Sequence, residues 1–149
     1  MPFAVTFPDG YGYVVFVALG LTPLLAWVQG SVVGPLRKAA GVPYPNMYAT
    51  PQQVKESRDA YKFNCAQRAH GNLLENMPQT MLYMLFAGLE YPKATFAVGT
   101  AWLICRAIFA YGYITSEKPD GKGRLYGSGY LLMQGALWGM CGALALKML

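Results

Sequence analysis

No charged residue stands between Asp9 and Arg37, and none between Arg124 and Lys147. Each gap is long enough for the roughly 20 apolar residues that carry a helix across a bilayer. Two further apolar stretches lie between them, residues 77–89 and 94–115, the second with one internal charge, Arg106. The shorter completes a span only by drawing in the polar turns FNCAQRAHGNLLE that precede it. Four helices are expected, near residues 11–36, 61–89, 93–115 and 125–146. Charged residues make up 13% of the chain, against roughly 25% in soluble domains. Four such helices leave no polar layer to face water. The expected fold class is therefore all-α, with residues 1–149 forming a single integral membrane four-helix bundle.

The net charge of +5 is unevenly placed. Arg37, Lys38, Lys55, Arg58 and Lys62 lie in or beside the first connection, and Lys118, Lys122 and Arg124 in the third. The opposite side holds Lys93 and Lys147. The positive-inside rule then puts connections one and three in the cytosol and both termini in the lumen. Basic residues that flank membrane helices argue against a nucleic-acid partner. Three dispersed cysteines without a CxxC pair, and His70 as the single histidine, suggest neither a metal site nor a redox dithiol. The first span lacks a basic n-region and is too long for a signal peptide.

Pro43, Pro45 and Pro51 argue against regular helix in the first connection, which reads as a long loop. Tyr91-Pro92 ends the second helix and starts the third. Pro23 and Pro78 are expected to bend their helices. Gly135 and Gly139 form a GxxxG pattern that permits close helix approach.

The candidate chemistry lies on the second helix. Arg68, Asn72 and Glu75 stand at i, i+4 and i+7 and share one face. Charges at membrane depth are costly and mark functional positions. Arg106 and Tyr113 share a face of the third helix, and Arg124 opens the fourth. By topology Arg37, Arg68, Arg106, Tyr113 and Arg124 converge towards one membrane face. One reading is structural, with Arg68 and Glu75 neutralising each other or a neighbouring subunit. The other is a site for an anionic or zwitterionic ligand. Guanidinium forks suit carboxylates, and Glu75 suits an amine.

Four blocks carry a family resemblance: RKAAGVPYPNMYAT, FNCAQRAHGNLLENMP, CRAIFAYGY and GRLYGSG. In this order they resemble the membrane-associated proteins in eicosanoid and glutathione metabolism, most of all the type 3 microsomal glutathione transferase branch. The resemblance implies a homotrimer of four-helix subunits in the endoplasmic reticulum or a related membrane. It implies glutathione as cosubstrate, bound between subunits on the cytosolic side, with no metal. Arg68, Asn72 and Glu75 match the family's glutathione contacts, and Gln67 and His70 flank them. Tyr113 matches a contact on the third helix, Arg37 or Lys38 a basic contact at the end of the first, and Arg106 a supporting arginine. Arg124 matches the arginine that activates the thiol. The chain departs from the pattern at Phe109, where a tyrosine is common, and at Asn76, where the leukotriene branch has a tyrosine.

The implied activity is a membrane-bound glutathione transferase or peroxidase. It would act on lipophilic electrophiles or lipid hydroperoxides, with leukotriene C synthase-type chemistry within the same scheme. A non-enzymatic scaffold that presents lipid to a partner enzyme is the alternative within the family. A small channel or transporter with a polar lumen is the alternative outside it.

Overall fold

In a computed structural model, residues 6–149 are described, and among them the chain is helical and carries no strand. The helices are α1 (Tyr11–Ala39), α2 (Pro51–Glu56), α3 (Arg58–Ala87), α4 (Pro92–Thr115) and α5 (Tyr130–Met148). A 3₁₀ segment, Pro119–Gly127, links α4 to α5. Three of them, α1, α4 and α5, are long and apolar enough to cross a membrane. Large apolar side chains such as Trp27, Leu132 and Trp138 point outward, as suits helices solvated by lipid. α3 is more polar and has 30 residues. At 1.5 Å per residue it spans about 45 Å, more than the roughly 30 Å hydrocarbon core. It packs against α1, α4 and α5.

The long helices alternate in direction along the chain, so α3 runs antiparallel to α1 and α4 and parallel to α5. Tyr11 at the start of α1 donates to the Leu85 carbonyl near the end of α3 at 2.9 Å. Glu90, just past α3, pairs with Lys147 at the end of α5 at 2.6 Å. At the other end Arg58 meets Glu117, and the Gly121 N–H donates to the Tyr61 hydroxyl, both at 2.9 Å. The core between these ends is built on Trp102, Leu73, Met84 and Leu137, all fully buried.

Proline shapes α1. A proline ring crowds the carbonyl four residues back and supplies no N–H. Just ahead of Pro23 the helix widens into a π turn over Phe16–Leu21, and the Thr22 hydroxyl donates to the Val17 carbonyl at 2.9 Å. The bend expected at Pro23 takes this form, since bonds reaching five residues back relieve both defects. α3 passes Pro78 without interruption.

Two expectations need correction. The first connection is not all loop, because Pro51 sits in the first turn of α2 and starts it. Thr50 Oγ accepts from the Gln53 N–H at 3.2 Å, and Gln53 Oε1 accepts from the Thr50 N–H at 2.8 Å. This reciprocal cap satisfies donors that would otherwise be orphaned, and proline at the first turn loses nothing. Arg124, moreover, does not open the last helix, which starts at Tyr130. Residues 125–127 continue the 3₁₀ path and 128–129 form a turn, because that segment lies flat on α4.

Glycine allows the flat path. A Cβ on Gly123 would overlap the Gly112 carbonyl, and one on Gly121 would strike the Tyr113 ring. Gly121 also adopts φ +61°, a left-handed conformation that side chains rarely take. Gly135 and Gly139, by contrast, meet no side chain or backbone of their own subunit. Gly123→Val should therefore cost about 1–3 kcal/mol by overpacking. Thermal unfolding in detergent measures it, with Gly34→Ala as the open-space control expected to change little.

Candidate functional site

The face that begins with Tyr61 runs down α3 through Cys65, Arg68, Asn72 and Glu75, close to a seven-residue period. The chain around it is tied to α3 by side chains. Asn64 Oδ1 accepts from the Ala49 N–H at 2.8 Å, and its Nδ2 donates to the Ala49 carbonyl at 3.0 Å. That clamp brings Tyr48 over α3, as the Tyr61 hydroxyl does for Gly121. A cavity of about 280 Å³ results, lined by Tyr48, Tyr61, Cys65, Arg68, Tyr113 and Gly121 among others. The Arg124 guanidinium lies 5.6 Å over the Tyr113 ring, and its Nη1 donates to the Asp120 carbonyl at 2.7 Å.

Arg68 and Glu75 form a two-pronged ion pair, with bonds of 2.7 and 3.2 Å. Both side chains are about half exposed, at 44% and 55%. The structural reading of the stripe is thus realised within the chain, as a pair on an open face. Arg106 behaves differently. It is 1% exposed, and its Nη1 donates to Asn72 Oδ1 at 2.8 Å. Its guanidinium lies 4.3 Å from the Tyr130 ring centre and 5.0 Å from that of Phe109. Among the described residues its Nε and Nη2 have no hydrogen-bond partner. Aromatic faces partly offset the charge. The Asn72 oxygen provides the one hydrogen bond.

Asn76 is absorbed by the interior. Its Nδ2 donates to the Asn72 carbonyl at 2.8 Å, and its Oδ1 accepts from Gln134 Nε2 at 3.3 Å. Gln134 in turn accepts from the Trp102 indole N–H at 3.4 Å. Phe109 is buried, edge-on to Tyr113 and Tyr130 at 5.7 and 5.6 Å. It serves as a face for Arg106.

Several expected site residues are not brought to the stripe within the subunit. Arg37 is buried between the rings of Tyr44 and Phe63, 4.4 and 4.7 Å from their centres, and donates to the Asn46 carbonyl. Lys38 is exposed at the end of α1. His70 packs against Gly30 of α1, with Nδ1 buried and unpaired, and lies on the opposite side of α3 from Arg68. Gln67 is half-buried and enters no side-chain hydrogen bond among the described residues.

Tyr48, Tyr61, Cys65 and Gly121 line the cavity beyond the residues expected from the sequence. Tyr61 and Cys65 continue the spacing of Arg68, Asn72 and Glu75, a signal present in the sequence. Tyr48 and Gly121 reach the cavity from connections, where no periodicity marks them.

The family model described as the MAPEG family matches residues 14–146, nearly the whole chain. The cavity falls within that match, as do all of the helices but the first three residues of α1 and the last two of α5.

The two arginines should separate in a stability measurement. Asn72→Leu leaves the buried guanidinium without its acceptor and should cost about 1–3 kcal/mol. Glu75→Gln breaks an exposed pair and should cost less than about 1 kcal/mol. Equal losses in thermal unfolding would contradict this division.

Proposed function

Because this chain belongs to the MAPEG family, we propose that it is a membrane-bound glutathione transferase that activates the glutathione thiol against lipophilic electrophiles. The observation that carries this reading is the cavity beside Arg68, with Tyr113 in its wall and Arg124 over the Tyr113 ring. The ion pair opens to take the ligand: Arg68 turns to a glutathione carboxylate and Glu75 to its ammonium group. Asn72 is held in place from behind by Arg106. The type 3 branch is favoured by His70.

Arg124 supplies the chemistry. A free thiol has a pKa of about 8.5, so only a few per cent is thiolate at pH 7. A fixed guanidinium beside the sulfur favours the anion. A fall of about two units, worth about 2.7 kcal/mol, makes the bound thiol mostly thiolate. Arginine keeps its own proton, so the thiol proton passes to water and the guanidinium acts as an electrostatic partner. The thiolate then forms a carbon–sulfur bond as the leaving group departs, or as an epoxide opens and takes a proton from water. With a lipid hydroperoxide the sulfur attacks the distal oxygen, the O–O bond breaks, and the alkoxide takes a proton from water and leaves as the alcohol. A second glutathione converts the resulting sulfenic acid to glutathione disulfide and water.

The half-exposed pair leaves an open face on α3 that calls for a cover. In the proposed homotrimer a neighbouring subunit provides it. Lys38, exposed at the end of α1, then faces the stripe of the next, with Arg37 behind it between Tyr44 and Phe63. The proposed setting is the endoplasmic reticulum or a related membrane, with connections one and three in the cytosol. A lipid-presenting scaffold without chemistry would have no use for an arginine held beside Tyr113.

Glutathione added to the purified protein at neutral pH should raise the ultraviolet absorbance of a thiolate and release about one proton per bound ligand. Arg124→Ala should bind glutathione, lose that absorbance, and lose about 10²–10³-fold in turnover. Wild-type protein that binds glutathione and shows no thiolate would sink the activation scheme.

A further inference from the structure

Tyr61 and Asp120 also line a second depression, with a volume of about 550 Å³, at the same end of the molecule. Lys55, Arg58, Lys62 and Lys118 line it, against two carboxylates, Glu117 and Asp120. Arg58 takes Glu117 at 2.9 Å, while Lys122, from outside the depression, reaches Asp120 at 3.7 Å. Lys118 lies 4.7 Å over the Tyr126 ring. Lys55 and Lys62 have no carboxylate partner among the described residues. The depression therefore carries an excess of positive charge.

Ile114 lines this depression and also the start of an apolar groove of about 340 Å³ between α1, α3 and α4. The groove forms where α1 and α4 diverge. Leu25 and Val28 of α1 form one wall, Ala110 of α4 the other, and Ala66 and Ala69 of α3 the floor. Alanines leave the space that larger side chains would fill. The rim is open, since Val28 is 44% exposed and Tyr111 72%. The groove thus lies along helices apolar enough to cross a membrane, and the basic depression lies at their ends.

We propose that the depression and the groove form one site for an anionic glycerophospholipid of the surrounding membrane. Its phosphate sits among Lys55, Arg58, Lys62 and Lys118, and one acyl chain lies in the groove. Basic pockets at the ends of membrane helices recognise such headgroups. A zwitterionic lipid brings its own cation and gains less from this charge. A free phosphate compound leaves the groove empty. The bound lipid bridges α1 and α4 where they part and rests against the segment 116–120 that leads to Arg124. Tyr61 and Asp120 border both sites, but none of the four cations and none of Arg68, Asn72 and Glu75 is shared, so the lipid site is tested separately from the thiol chemistry.

The test titrates the purified full chain in detergent with phosphatidylglycerol, phosphatidylcholine or glycerol 3-phosphate and follows the thermal midpoint. Phosphatidylglycerol should raise the midpoint saturably, and the other two should not. The double variant Lys55→Gln/Lys62→Gln should need about tenfold more phosphatidylglycerol for half the effect. Val28→Trp, at an exposed position, fills the groove with all four cations intact and should weaken the response similarly. Glutathione binding should be unchanged in both. Equal stabilisation by phosphatidylcholine, or by glycerol 3-phosphate, overturns the proposal. So does a Val28→Trp response equal to wild type, which would mean surface charge alone. Should a variant fold poorly, the comparison of three ligands on the wild type still decides.

Discussion

A guanidinium inside an apolar helix packing must find an acceptor, and Arg106 finds it in Asn72. Leaving either group unpaired in a medium without water is expensive. The bond therefore sets the depth at which α4 lies against α3. Phe109 and Tyr130 close over the same guanidinium, which brings the start of α5 to that level. Asn76, Gln134 and Trp102 extend the polar interior by hydrogen bonds one turn further along α3. With Asn72 held from behind, the stripe that contains it keeps a fixed direction.

The arginine within the stripe serves a different end. Arg68 and Glu75 pair on an exposed face, where such a bond is worth at most about 1 kcal/mol. A ligand that supplies its own carboxylate and ammonium can replace the pair at little cost. A buried, structural contact and an open, replaceable pair thus fall to separate residues on one helix face. The glycine contacts of the 3₁₀ segment add the third part. They press residues 119–127 onto α4 and hold Arg124 beside Tyr113.

Three spans could be read from the sequence because they are long and nearly free of charge, and lipid solvation needs no finer pattern. The α3 stripe was legible because Arg68, Asn72 and Glu75 share a period, and Tyr61 and Cys65 extend it. What the sequence hid depends on tertiary approach. Arg37 is sandwiched between Tyr44 and Phe63, a pairing no local spacing announces. Arg124 was placed at the head of a helix because apolar residues follow it. The contact of Gly123 with Gly112 selects a 3₁₀ path there instead. Pro51 was read as a helix breaker, whereas the reciprocal cap of Thr50 and Gln53 makes it a starter.

The central claim is that the stripe of Arg68, Asn72 and Glu75 receives glutathione with its ammonium group on Glu75. Calorimetric titration of glutathione and of its deaminated analogue, into wild type and Glu75→Gln, tests it most directly. Loss of the amine should weaken binding at least about tenfold in wild type, which corresponds to about 1.4 kcal/mol, and should change little in Glu75→Gln. Equal affinity of the wild type for both ligands, or no binding of either, would contradict it.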